Sequence, residues 1–369
     1  MKRFVSIVLA VLSVCSCGKN LQGEDNIVPV EWQGYVYFGA DVMTKAPIYK
    51  DLNGQDYGVI AFKYDSDWNT FKAVGKPSSA AGDNDRPGFN FPTKVSCSET
   101  GLCTYRSKQI NAPVEWEQGK VYSFFAYFPY SEATSGNGVI LNSTDGTAGV
   151  PSIKYTVPSW TDPSSLSDVM TAAAIDEVNS GDGTVGFTFK HRLCCLNVEA
   201  RNFNDSPETV KNLKINITSE MFESVVVPLD PSIEIAQSGN HAGASYQIIP
   251  DSDDSKVTVP VYDGISSSTT NLSGDNNIIL IPQNVDDIMG DTNGDGVDEV
   301  ILPGKRKLTG NISFTDKSGN PQSQEFESDK NFEAGKKYTF VITFANGSIS
   351  IAIIESGEWT DMNQDIIFE

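Results

Sequence analysis

The sequence predicts an all-β protein built as two tandem antiparallel β-sandwiches, and three observations carry the prediction. Period-two alternation of apolar and polar residues recurs along the chain, which is the pattern of half-buried strands. The strands are short and separated by Gly-, Pro-, Asn- and Ser-rich turns, with no alternation of strands and helices that would signal a parallel α/β sheet. They also fall into two series of about seven, the number expected of a sandwich. The polar stretch ARNFNDSPET (200–209) lies between the series. This places one domain at 28–205 and a second at 206–369, preceded by a leader at 1–16 and a tether at 17–27. The series share no fixed period, so the chain is not a solenoid.

The leader comes first. Lys2 and Arg3 precede an apolar run from Phe4 to Val14, which has the length of a secretory signal and is too short to span a bilayer. Its end, Val14-Cys15-Ser16-Cys17, resembles the bacterial lipobox. The resemblance implies cleavage before Cys17 and lipidation of its thiol, with Cys15 leaving in the signal and Gly18-Lys19-Asn20 beginning the tether. An ordinary cleaved signal with incidental cysteines is the alternative.

In the first series, IVPVEWQGYVYFGADV sets Val36, Phe38, Ala40 and Val42 at one parity. Strands are then expected at 57–64, 120–130, 152–158 and 185–200. DPSSLSDVMTAAAIDEV (162–178) reads as a short helix with Ser or Asp caps. Cys97 and Cys103 flank a loop between β-type segments and are expected to close a hairpin tip by a disulfide, in keeping with an exported chain. Cys194 and Cys195 are adjacent in an expected strand, where neighbours point to opposite faces. One is therefore expected in the core and the other half-exposed; both would pack as small hydrophobes.

The second series runs through 210–218, 224–229, 245–250, 256–262, 277–282, 307–316, 337–355 and the tail 365–369. Its sharpest local motif is Asp291-Thr292-Asn293-Gly294-Asp295-Gly296-Val297-Asp298-Glu299. Asp291, Asn293 and Asp295 supply oxygen ligands at positions 1, 3 and 5, Gly296 the sharp turn, Val297 a backbone carbonyl and Glu299 an acid at position 9. This is the first part of an EF-hand-like calcium loop. The acid of position 12 is replaced by Leu302, so Asp286 or Asp287 would have to complete the shell. An acidic β-turn between strands is the other reading.

Composition excludes several functions. The formal charge is −21, and loss of Lys2 and Arg3 with the leader makes it −23. Such a chain repels phosphate backbones and anionic lipid, so nucleic acid is not an expected partner. The chain has two histidines, His191 and His241, and no zinc-protease, serine-hydrolase or phosphate-loop motif. His191 is expected to be packed and hydrogen-bonded. Trp68, Trp116 and Trp160 lie beside loops, where they either stack on sugar rings or cap a sandwich core; polar neighbours of Trp68 and Trp160 suit exposure. A glycan-binding surface lipoprotein that uses these aromatics and calcium is therefore the alternative function.

Taken in order, GQDYGVIAFKYDSDW, GKVYSFFAYFPYS, LSDVMTAAAIDE, FTFKHRLCCLNVEARN and KKYTFVITFANGSISIAIIESGEWTD resemble the landmark segments of fimbrillin-type lipoproteins, the subunits of Bacteroidales type V pili. The resemblance covers most of 30–361. It implies two transthyretin-like β-sandwich domains, export as a lipoprotein to the cell outer membrane surface, and assembly with other fimbrial subunits by protease-triggered β-strand exchange, without catalysis. A trypsin-like cut matches VMTKAPI here, after Lys45 and before Ala46; a solvated loop lysine is the alternative. Val36, Phe38, Ala40 and Val42 would then leave an apolar groove for an incoming strand. Ile349, Ile351 and Ile353 precede the tail, but the Asn346-Gly347 turn makes 349–355 half of a hairpin. The short tail 362–369 is the better donor, which favours a tip, accessory or minor subunit. The host or bacterial surface ligand is not named by any motif.

Overall fold

The computed structural model describes residues 37–42, 52, 54–73, 92–99, 103–106, 114–131, 138–143, 150–179, 184–250, 255–263, 269–273, 278–283, 288–290, 299–302 and 307–358. Its first sheet has seven strands in the order β1 (Tyr37–Val42), β9 (Thr184–His191), β8 (Met170–Val178), β5 (Val121–Phe128), β2 (Asp56–Tyr64), β3 (Thr93–Cys97) and β4 (Cys103–Tyr105). A four-stranded sheet runs β13 (Ala236–Ser238), β12 (Ser224–Pro228), β7 (Ser152–Thr156), β6 (Val139–Ser143). A third sheet runs β16 (Thr270–Asn271), β10 (Cys194–Asn202), β22 (Lys336–Ala345), β23 (Ser348–Glu358), with β17 (Ile278–Leu280) also on β10. The fourth runs β14 (His241–Gln247), β11 (Glu208–Met221), β20 (Leu308–Thr315), β21 (Pro321–Ser328), with β15 (Val257–Val259) also on β11. A hairpin of β18 (Ile288–Gly290) and β19 (Glu299–Leu302) completes the set. All pairings are antiparallel except β1 with β9 and β10 with β22.

The fold is thus all-β, as the alternation predicts. Its centre is drier than alternation alone implies, because the first sheet is buried on both faces. Along β2, Tyr57, Val59 and Ala61 enter one core while Ile60, Phe62 and Tyr64 enter the other. Along β5, Tyr122, Phe124 and Ala126 likewise oppose Phe125 and Tyr127. The second core continues through β7, β12, β10, β11 and β22 by way of Tyr155, Val225, Val198, Ile215 and Phe340.

Strand pairing does not follow a division at 205/206. β10 lies before that point and pairs with β22, β16 and β17, all of which lie after it. β7 pairs with β12 across the same point. Residues 34–369 form one compact unit. A polar stretch marks where the chain surfaces, whereas sheet partners are chosen by long-range fit.

Three local expectations are corrected. In 162–178 only Pro163–Ser165 is helical, a 3-10 turn capped by Asp162, whose carboxylate accepts the Ser164 N–H at 3.0 Å; Leu166 to Val169 are irregular and Met170–Val178 is β8. Alanine favours helix, but Ala172, Ala173 and Ala174 lie opposite Ala126, Phe125 and Phe124 of β5. Small side chains there admit the phenylalanines, so tertiary pairing overrides propensity. Conversely, Trp68–Ala73 forms a helix, α1, that the sequence reading leaves as loop. Its first turn is held by Asp67, which accepts the Thr70 N–H at 2.9 Å, and by Asp176, which accepts the Trp68 N–H at 2.7 Å.

The cysteine pair is the second correction. Cys194 and Cys195 are both fully buried, because β10 is covered on both faces. Burial raises both thiols, Cys195 to about 12, so neither is a reactive thiolate at neutral pH. The third correction concerns the tryptophans. Trp68 packs on Phe62, Phe71 and Phe125, and Trp116 on Tyr122 and Phe124. Both are buried, and Trp160 is half-buried and stacked on His241 at 4.3 Å. They cap cores instead of offering a row of exposed rings.

Candidate assembly interface

The strand that the sequence singles out for release, β1, forms one edge of the seven-stranded sheet and has, among the described residues, a single ladder neighbour, β9. The register aligns Phe38 with Val185, Ala40 with Phe187 and Val42 with Phe189. Val36 lies outside the described residues, as do Lys45 and Ala46. Val185, Phe187 and Phe189 are buried, and Tyr57 packs edge-on against both phenylalanines at 6.1 and 5.4 Å. Along the register that β9 shares with β1, every second residue of β9 from Val185 to Phe189 is therefore a buried apolar one. Parallel ladders are slightly weaker per residue than antiparallel ones, and an edge strand loses its backbone bonds on one side only.

β9 is itself lightly laced to the rest of the sheet. Among the described residues its ladder with β8 covers Met170 with His191 and Thr171 with Lys190. At that end Asp168 and His191, both buried, approach to 2.8 Å between Oδ2 and Nδ1. The Arg192 N–H then donates to Val169 O at 2.8 Å. Its guanidinium donates to Pro231 O at 2.7 Å and Ile233 O at 2.5 Å. Burial pulls that guanidinium down to about 10, against the opposing charge of Asp230. The segment His191-Arg192 thus bolts the end of β9 to the neighbouring sheets, and the packed role expected for His191 is what its geometry shows.

The opposite edge is built differently. β4 has three residues, and Cys103 is disulfide-bonded to its ladder partner Cys97 on β3. The sheet curls enough that Cα atoms of β1 and β4 approach within 8 Å. Cys103 and Tyr105 pack against the same core as Phe187, so the covalently pinned hairpin faces the strand that has no such link.

A fimbrillin-like family model matches residues 64–359. The chain belongs to the fimbrillin-like family. Among solved structures, a fimbrial protein from Bacteroides vulgatus aligns at a TM-score of 0.59 and 20% identity, covering 88% of this chain and 99% of that one. A candidate cell adhesion protein from Bacteroides ovatus aligns at 0.54 and 15% identity, covering 88% and 97%. At these identities the likenesses concern the fold. No curated protein sequence matches the chain.

The other site residues of this fimbrillin-like chain are distributed around that frame. Cys17 lies outside the described residues. So do Asp291, Asn293, Asp295 and Val297, within the connection between the paired strands β18 and β19; Glu299 begins β19. Ile349, Ile351 and Ile353 sit in β23, half-buried against the core, so this stretch is a sheet strand. Asn346 and Gly347, at φ 50° and 74°, form the two-residue turn of its hairpin with β22. The tail 362–369 is outside the described residues. Sequence reasoning missed β9 as the partner of β1. VGFTFKH is legible as a strand, but a parallel pairing across so long a separation leaves no local signal.

Proposed function

We propose that the chain is a cell-surface fimbrial subunit or fimbrillin-like adhesin without catalytic activity, exported as a lipoprotein through Cys17 and assembled with other subunits by strand exchange. A trypsin-like cut between Lys45 and Ala46 would release β1 and empty the groove over Val185, Phe187 and Phe189. A donor strand, for which 362–369 is the candidate, would then refill it with backbone bonds to β9 and alternating apolar side chains. A tip, accessory or minor position is part of the same reading. The 291–299 connection would add a calcium ion that stiffens the β18–β19 hairpin.

The observation that carries the proposal is that β1 is an edge strand with one ladder neighbour. Family membership and the fimbrial and adhesion descriptions of the structural neighbours point the same way. The test is limited digestion of the mature protein with a trypsin-like protease, followed by mass spectrometry and non-reducing gels. A new N-terminus at Ala46 together with an oligomer ladder is expected. A chain cut at that point that stays monomeric, or one that resists the cut, overturns strand exchange.

A further inference from the structure

The exposed large apolar side chains among the described residues include five aliphatic ones and a single aromatic, Phe203, at 52%. Isolated exposed aliphatics are normal on a soluble surface, but Phe203 is not isolated. Its ring lies 4.9 Å from that of Tyr262 at 57°, and Val261 beside it is 41% exposed. The patch forms where β10 ends and Asn202 bridges in parallel to Val261.

The pair is held in place from below. Asn202 is fully buried, and its amide donates to Ser206 O at 2.9 Å and Val259 O at 3.3 Å, while its Oδ1 accepts the Asn204 N–H at 3.0 Å. The Phe203 N–H donates to Phe344 O at 2.7 Å and the Tyr262 N–H to Asn202 O at 2.5 Å. The backbone under both rings is therefore fixed, and a ligand need not order it. The rim is polar: Asn204 accepts the Gly347 N–H at 3.4 Å, and Asp263 and Asn346 stand exposed beside Tyr262 and the β22–β23 turn.

We infer that Phe203 and Tyr262 form a stacking platform for a neutral pyranose ring, which makes this the ligand face of the adhesin proposed above. Size and charge choose this occupant. The exposed apolar area of Phe203 and Val261 is roughly 200 Å² at ordinary residue sizes, far below the ~800 Å² per partner of a stable protein interface. It matches one sugar ring, whose C–H face meets the negative π-face while its hydroxyls reach amide and carboxylate groups at the rim. A chain of net charge −21 disfavours sulfated or sialylated glycans and anionic lipid, leaving neutral sugars. Pyranosides with contiguous C–H groups on one face, such as β-galactosides, fit best.

The inference rests on the adhesin reading and not on strand exchange, so it is tested on the uncleaved chain in solution. Saturation-transfer NMR with methyl β-D-galactopyranoside should give signals on H3, H4 and H5. Phe203→Ala and Tyr262→Ala should each weaken binding about 5-fold with the melting temperature unchanged. Ile354→Ser, at an exposed apolar site on β23, should leave it intact. No saturation transfer to the wild type at millimolar sugar overturns the inference, as does a signal that survives Phe203→Ala. Self-association that depends on Phe203 without sugar binding would overturn it in favour of a protein contact. Binding by a chain that never polymerises would sustain the platform while strand exchange fails.

Discussion

The two edges of the seven-stranded sheet solve the same problem in opposite ways. Any edge strand exposes backbone groups that invite pairing with another chain. β4 answers by being three residues long and covalently tied, through Cys103–Cys97, to the strand beside it. β1 is twice as long, lies parallel to β9, its one ladder neighbour among the described residues, and carries no cysteine that could tie it covalently. Yet the core beside β1, with Phe187 and Phe189 meeting Tyr57 edge-on, is fully buried. The contrast teaches that burial and permanence are separate properties. A strand can lie beside a fully buried apolar core and still be held by backbone bonds on one side only.

The largest effect should come from the floor on the β1 side. Phe187→Ala removes a ring that is 1% exposed and is expected to cost about 3–5 kcal/mol in chemical denaturation. A loss below about 1 kcal/mol would mean that this face is not closed, and the contrast between edges would collapse. Asp168→Ala tests the anchor of β9. It removes the carboxylate that the buried His191 faces, and loss of one member of a buried polar contact typically costs about 1–3 kcal/mol, with the end of β9 gaining amide exchange before β2 does. Exchange that rises uniformly across the sheet would show that the pair is not a local bolt.

On the β4 side, Cys103→Ser opens a closed loop of few residues, for which chain entropy gives about 2 kcal/mol. Protection of β1 amides should be untouched, since β1 takes its ladder from β9; joint loss would show that β4, which approaches it, props β1. The smallest effect is electrostatic. Asp56 begins β2 and lies 2.5 Å from Lys94 on β3. Partial burial works against its ionisation, but hydrogen bonds from Lys94 and Ser96 and the lysine charge outweigh that and hold its carboxyl below the usual range. A depressed carboxylate contributes stability above its unfolded value and loses it as pH falls through the folded one. Asp56→Asn should therefore be slightly less stable than the wild type at pH 6 and equal to it once the carboxyl is protonated in acid, which narrows the difference in stability between pH 6 and pH 3. Because the pair is well exposed, a large change would point to a role beyond the pair.

Legibility in the sequence varied by the range of the interaction. Strand positions along β2, β5, β9 and β22 were readable because side chains alternate over a few residues, and Asn346-Gly347 announced its hairpin. The disulfide partners were readable for the same local reason. What failed was whatever depended on a distant partner. Ala172 to Ala174 read as helix because their fit against Phe124 and Phe125 is invisible in the chain order. Trp68 stayed between stacking and core capping because its cover, Phe125, lies far away in sequence.

By itself the sequence determined an all-β chain, its acidic surface, its landmark order and the candidate strand at 36–42, since periodicity, charge and motif are local or additive quantities. The tertiary structure alone decided that β10 joins strands beyond the 205/206 division and that both cysteines of the pair are buried. It also decided that β1 lies at an edge beside β9, and that Phe203 is exposed and packs on the half-buried Tyr262. Each of these depends on which distant strands share hydrogen bonds. Many pairings satisfy the same alternation, and only the packing of all the side chains together selects one.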